Sequence, residues 1–280
     1  MSKIKLIASD LDGTLLTSKK EITPRLYQAL KKINDMGICF VPSTGRPFSS
    51  LPKDVKALPF LQYVITSNGA TVYDAKNNRN IVQNFLTPEA VDITLEIAKQ
   101  LPVIIEFFKD GKAYIPKEVF DDLSPYCLTE SHMQYIKTTR RPIQDFFGEI
   151  EKDKSALENI NLVFSDMELR KEIWNLLKSK NHASVTASSP KNIEITSKDA
   201  TKARALEMLC NLLGLKRENI LAMGDGDNDL PMLQFAGVGV AMANGEAHVK
   251  EAADIIAEDC NDFGAAKILE QIIDGKGVFE

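Results

Sequence analysis

Cysteine is sparse and unpaired in this 280-residue chain: Cys39, Cys127, Cys210 and Cys260 lie far apart, with no CxxC pair. That pattern argues against a zinc site and against a disulfide framework. Cys39 and Cys210 sit inside apolar runs and read as reduced core thiols. Long apolar runs are missing as well. No stretch reaches the length of a membrane span, and the first apolar run is too short for a signal-peptide core. Positive charge is not in excess. The formal net charge is -5, which speaks against nucleic acid or an anionic membrane as the main partner. No internal repeat or low-complexity tract is present. The expected setting is the cytoplasm.

What is present fits a globular enzyme. Apolar residues make up 44% and charged residues 26%, and the length leaves room for two domains. "IKLIAS" lacks polar alternation and reads as a strand buried on both faces. "TPRLYQALKKINDMG" reads as a helix with Thr23 as N-cap, Pro24 in the first helical position and Gly37 as its end. "ICFVPSTG" and "LQYVITSNGA" are further strands. Strand, helix, strand in this order implies a parallel sheet. The rhythm then changes. "VIIEFFKDGKAYI" is a hairpin about Asp110 and Gly111, followed by a strand, a helix and two more strands. From "TKARALEMLCNLLG" the earlier rhythm returns. The expected fold is α/β: a doubly wound parallel sheet over residues 1–84 and 191–280, interrupted by an α+β domain over residues 85–190.

Polar clusters stand at the ends of the core strands. "SDLDGT" sets Asp10 and Asp12 two apart, so on strand geometry they converge on one face. Two close carboxylates repel, so either one is protonated or a cation lies between them. Gly13 allows a sharp turn there. Taken alone, this is as readily an Asp- and Gly-rich turn as a site. "VPSTGRP" supplies Ser43, Thr44 and Gly45; "MGDGDNDLPML" supplies Asp225, Asp227, Asn228 and Asp229; "SKDATKARAL" supplies Lys202 near a helix start. In open α/β sheets ligands bind at the carboxyl ends of the strands, so four such clusters make a site. "DGDND" also matches the first positions of an EF-hand loop, but Leu230 replaces the needed glycine and Ala236 the needed glutamate. Lys202 faces the positive end of its helix dipole, a local rule broken as at functional sites.

These motifs resemble those of the haloacid dehalogenase superfamily of phosphatases. "DLDGTL" resembles its first motif, "STGR" its second, Lys202 its third and "GDGDND" its fourth. The inserted domain, "SNGA" and "VGVAMANGEAHVKEAAD" are similar to the Cof-type branch with a large α/β cap. Two positions depart from it. Ala203 stands where relatives often carry glycine, and "MANG" lacks a glycine often found before the asparagine.

The resemblance implies a mechanism. Asp10 is the nucleophile that forms an aspartyl-phosphate, and Asp12 the general acid and then base. A close pair of this kind is suited to share one proton. Mg²⁺ is the implied cofactor, held by Asp10, Asp225 and the Asp12 carbonyl, with Asp229 orienting them from behind. The Thr44 hydroxyl, the Gly45 and Leu11 N–H groups, Asn228 and Lys202 hold phosphoryl oxygens. Arg46 contacts substrate or cap, or else forms a salt bridge. The implied cap closes over the strand ends and selects the leaving group. Arg140 and Arg141 either read a second anion or are a solvated pair. His132, His182 and His248 lack a carboxylate or cysteine at ligand spacing and read as surface or capping residues. The implied activity is Mg²⁺-dependent hydrolysis of small phosphorylated metabolites, sugar phosphates foremost. Alternatives are a phosphomutase, a phospho-accepting domain like a receiver, and a silent ligand-binding protein.

Overall fold

Five short strands without polar alternation form the parallel sheet of the first unit, in the order Ile255–Ala257, Val238–Met242, Ile220–Gly224, Leu6–Ser9, Cys39–Pro42. The computed structural model describes residues 3–276. Leu6–Ser9 is central: Leu6 pairs with Ile220 on one side and Cys39 on the other. From that strand the chain runs outward to Cys39–Pro42, and the later strands build away in the other direction. The strand order therefore reverses between Leu6–Ser9 and Ile220–Gly224, the place where open α/β sheets form a crevice at their carboxyl ends. Asp10 follows the first of these strands and Asp225 the second. The α/β expectation thus holds.

Local sequence explains the flanking helices. Pro24–Asp35 opens with Thr23 Oγ1 accepting from the Leu26 N–H, and buries Leu26, Ala29, Leu30 and Ile33. Lys202–Leu213 opens on Thr201, whose hydroxyl accepts from the Arg204 N–H, and ends at Gly214 in the left-handed region. Leu206, Leu209 and Cys210 of this helix pack on the sheet with Leu6, Ala8 and Val41. Tyr63–Thr66 differs from expectation. It heads an antiparallel sheet with Thr71–Asp74 and Arg79–Gln83, and adjoins the parallel sheet through a parallel Ser43–Ile65 bridge, the Thr44 N–H donating to the Ile65 carbonyl.

The chain divides into two units. The first comprises the chain up to Thr44, Leu51–Val82, and Thr201 onward; the second comprises Gly45–Ser50 and Gln83–Ala200. The second unit has its own sheet, ordered Ser184–Thr186, Asn192–Thr196, Asn159–Val163, Ile104–Lys109, Lys112–Pro116, Arg140–Ile143. All neighbours are antiparallel except the last pair. Asp110 and Gly111, both at positive φ, make the expected hairpin turn. One sheet face presents Ile105, Phe107, Ile160, Leu162, Ile193 and Ile195 to helices Pro88–Ala98, Phe146–Lys152 and Met167–Lys180. The segment runs past residue 190. The turn at Pro190 is a hairpin and not a linker, because Asn192–Thr196 pairs with strands on both of its sides.

Candidate active site

Lys202 is the hub of the strand-end cluster. Its Nζ donates to Asp10 Oδ1 and to Asp229 Oδ1, each at 2.6 Å, and its side chain is fully buried. Burying an ammonium costs several kcal/mol unless carboxylates surround it, so this geometry is what makes the placement tolerable. Asp229 is committed on both oxygens: Oδ2 accepts from the backbone N–H of Asp225 (3.0 Å) and of Gly226 (3.1 Å). It thereby fixes the loop that carries Asp225. Thr14 Oγ1 donates to Asp225 Oδ1 at 2.9 Å.

Two glycines let these segments close up. A Cβ on Gly13, at φ +94°, would lie 2.4 Å from Asp225 Oδ2. A Cβ on Gly69, at φ +96°, would lie 2.2 Å from the Thr201 carbonyl, the cap of the lysine helix. Neither position admits a side chain.

Asp10, Asp225 and Asp229 bring carboxylate oxygens within 4.8 Å of one another. One lysine does not neutralise three aspartates. Burial, together with repulsion from Asp229 and Asp225, pushes Asp10 up to about 8 despite the pull of Lys202. Burial and Asp229 likewise push Asp225 up to about 6, partly offset by the Thr14 hydrogen bond. Against its burial, Asp10 and Asp229 hold Lys202 above its ordinary value, so it remains charged. A hard, all-oxygen donor set with surplus negative charge fits a divalent cation. Asp10 and Asp225 are the donors best suited to hold it, since Lys202 and two N–H groups already engage Asp229.

Asp12 lies beyond the end of its strand. The strand stops at Ser9 and the chain turns at once, with Asp12 in a bridge to Leu16, so alternation no longer sets its direction. Its carboxylate is half-buried and pairs with Lys20 Nζ at 2.9 Å, and Asp10 pairs with Lys202 instead.

Thr44 is buried; its N–H donates to the Ile65 carbonyl (2.9 Å) and its carbonyl accepts from the Asn68 N–H (3.1 Å). Asn68, at φ +56°, accepts through Oδ1 from Asn228 Nδ2 at 3.0 Å. The chain thus links the second and fourth motifs through Asn68 of "SNGA". Leu11 is buried and its carbonyl accepts from the Leu16 N–H. Gly45 and Arg46 group with the second unit. There Arg46 Nη1 donates to the Ser50 carbonyl (3.2 Å) and the Tyr135 hydroxyl (3.3 Å), with its guanidinium 5.3 Å from the Tyr135 ring centre.

Arg140 is not half of a solvated pair. It is buried, and its Nε and Nη2 form a fork onto Glu106 Oε1 and Oε2 at 2.7 and 2.8 Å; Arg141 is exposed. His248 is exposed, as a surface histidine should be, and folding brings Asp227 to 2.5 Å from its Nε2 and Glu246 to 3.8 Å from Nδ1. Thr14 and Lys20 were not singled out in the sequence; Thr14 follows "DLDG" directly and was within reach, whereas nothing local marks Lys20.

Comparison with known proteins assigns the class. The family model described as haloacid dehalogenase-like hydrolase matches residues 7–269, and the chain belongs to that family, among its phosphatases. Among curated relatives, the 5-amino-6-(5-phospho-D-ribitylamino)uracil phosphatase YcsE of Bacillus subtilis is 31% identical, covering 95% of this chain and 94% of its own. Phosphatase YwpJ of the same organism is 29% identical, covering 96% and 100%. The solved structure of a haloacid dehalogenase-like hydrolase from Bacteroides thetaiotaomicron is 30% identical, with a TM-score of 0.82, covering 96% of this chain and 99% of its own. Among the described residues, no helix is long and apolar enough to cross a membrane.

Proposed function

We propose that this protein hydrolyses phosphate monoesters of small polyhydroxylated metabolites through a phosphoryl group carried on Asp10. The observation that carries the reading is the buried Asp10–Lys202–Asp229 constellation beside Asp225, with more carboxylate than cation charge. An Asp10 oxygen attacks phosphorus and the ester P–O bond breaks. Asp12 gives its proton to the departing alcohol oxygen. Water then attacks the acyl phosphate, Asp12 takes a proton from it, and phosphate leaves with Asp10 restored. Lys202 balances charge on the phosphoryl oxygens, helped by Thr44, Asn228 and the N–H groups of Leu11 and Gly45. Asp10, Asp225 and the Asp12 carbonyl would hold Mg²⁺, which when bound neutralises charge between the phosphate and Asp10. The relative named for a 5-phospho-D-ribitylamino substrate supports a small polyol ester. A phosphomutase has no separate observation in its favour.

The test uses p-nitrophenyl phosphate, whose leaving group needs no proton. With Mg²⁺ the wild type turns over steadily, and excess chelator stops it. Asp12→Asn releases about one equivalent of nitrophenol and then slows, leaving label from a ³²P substrate on Asp10. Label on another residue, or full turnover in chelator, removes the mechanism.

A further inference from the structure

The turn Ser67–Gly69 joins strands Tyr63–Thr66 and Thr71–Asp74, which pair up to Thr66 and Thr71. Connecting turns ordinarily lie on the surface, where water satisfies their backbone groups. This one is buried at Ser67, Asn68 and Gly69. Its backbone is unusual as well. Three consecutive residues take positive φ: Ser67 at +51°, Asn68 at +56° and Gly69 at +96°. Glycine adopts this region freely and asparagine tolerates it, whereas serine enters it at a cost.

In return the turn meets three segments that chain order keeps apart. The Asn68 N–H donates to the carbonyl of Thr44, in the second motif, at 3.1 Å. A Cβ on Gly69 would lie 2.2 Å from the Thr201 carbonyl and 3.0 Å from the Lys202 backbone nitrogen, so bare backbone rests on the start of the lysine helix. Asn68 Oδ1 accepts from Nδ2 of Asn228, in the fourth motif, at 3.0 Å. Backbone strain persists only where the surroundings over-determine it, and it gathers at functional sites.

The bond between the two asparagines has a chemical consequence. The last torsion of an asparagine side chain is broad, so the amide plane is not set by its own rotamer. The amide nitrogen carries two hydrogens. Asn68 Oδ1 accepts one of them, which fixes the plane of the Asn228 amide and the direction of its second hydrogen. Asn68 can act as a fixed reference because its own backbone is tied to Thr44. Glycine would meet the backbone demand at this position equally well. Only the side-chain acceptor calls for asparagine.

We propose that Asn68 is a positioning residue for phosphoryl transfer: it holds the Asn228 amide with its nitrogen toward the phosphoryl oxygens, and the Ser67–Gly69 turn locks it in place. The inference rests on the phosphatase reading above. Without Asn68 the amide is free to turn its oxygen to the phosphoryl group, where two acceptors repel. Asn68 acts through orientation: it touches Asn228, and Asn228 touches the substrate.

The test uses the full chain with Mg²⁺ and p-nitrophenyl phosphate. Asn68→Gly keeps a residue at ease at this φ and removes the acceptor. It should lower kcat by about ten- to a hundredfold, the range typical of groups that orient direct ligands, with KM little changed. Asn68→Asp keeps the acceptor and the tolerated backbone but adds a charge one hydrogen bond away from the phosphoryl contact. Its kcat should stay well above that of Asn68→Gly, with the like charge appearing as a raised KM. Asn228→Ala removes the amide being held, so adding Asn68→Gly to it should cost less than about a further twofold. With an active wild type, three results each overturn the positioning role alone. They are an unmoved kcat in Asn68→Gly, an equal loss in Asn68→Asp, and losses that multiply in the double variant. An Asn68→Gly protein that fails to fold while Asn228→Ala folds also overturns it, since Asn68 would then serve the fold. A wild type inert on the ester removes the phosphatase reading, and the positioning role with it.

Discussion

Lys202 and Arg140 are both cations buried against carboxylates, one in each unit, and they differ in what they leave over. Arg140 meets Glu106 with two parallel hydrogen bonds, and Asn161 takes up further capacity of that carboxylate. Charge and donors close on each other. Lys202 is a point donor shared between Asp10 and Asp229, with Asp225 close by. Charge there does not close, and Asp10 and Asp225 are pushed toward their neutral forms. A buried ion pair is therefore no sign of a site by itself. The sign is the imbalance, which calls for a cation and an anionic ligand together.

The largest expected effect is at Lys202. Lys202→Met keeps the stem and removes the charge, leaving three aspartates without a counter-ion. Loss of one partner of a buried pair costs about 3–5 kcal/mol. Loss of a phosphoryl contact costs about 10²–10³ in kcat. Urea unfolding should show Mg²⁺ restoring more stability to the variant than to the wild type, because the cation then balances more surplus charge. If Mg²⁺ stabilises both equally, the imbalance at this end of the sheet is not real.

Next comes the closed pair. Arg140→Met should lose about 3–5 kcal/mol by stranding Glu106, while the double variant Arg140→Met with Glu106→Leu should recover most of it. Turnover of p-nitrophenyl phosphate per folded molecule should hold in the double variant. A double variant that stays as unstable as the single one, or that folds and loses this turnover, would erase the contrast between the two cations.

The contrast also explains what the sequence made legible. Asp10, Lys202, Asp225 and Asp229 were found because each stands at the end of an apolar strand or the start of a helix, and chain order then delivers them to one sheet edge. Asp12 is harder to place from spacing alone, because a spacing of two implies a shared face only inside a strand, and this strand ends at Ser9. Partners far apart in sequence left no local mark. Asp227 reaches His248 across 21 residues and Arg140 reaches Glu106 across 34. The second unit's extent was misread at Pro190 because Ser, Pro and Lys in a row suit a linker and a hairpin turn equally. Only pairing of Asn192–Thr196 on both sides separates the two.

The smallest expected effect sharpens the comparison from outside. Lys20 meets Asp12 at 2.9 Å, close to the Lys202 distances, but its side chain is 51% exposed. Water screens such a pair, so it contributes about 0.2–1 kcal/mol, and less in concentrated salt. Lys20→Gln should therefore shift the urea midpoint slightly at low salt and not at all near 1 M salt, where screening acts over about 3 Å. Its kinetic effect should be selective. If Asp12 transfers the proton, releasing it from Lys20 should slow an alkyl phosphate more than p-nitrophenyl phosphate, which needs no proton. The loss should stay below about tenfold, well short of the roughly 10²–10⁴ that general acid catalysis supplies. A stability loss as large as that of Arg140→Met would show that exposure does not separate these ion pairs. Equal slowing of both esters would show that Lys20 acts on the fold of the turn and not on Asp12.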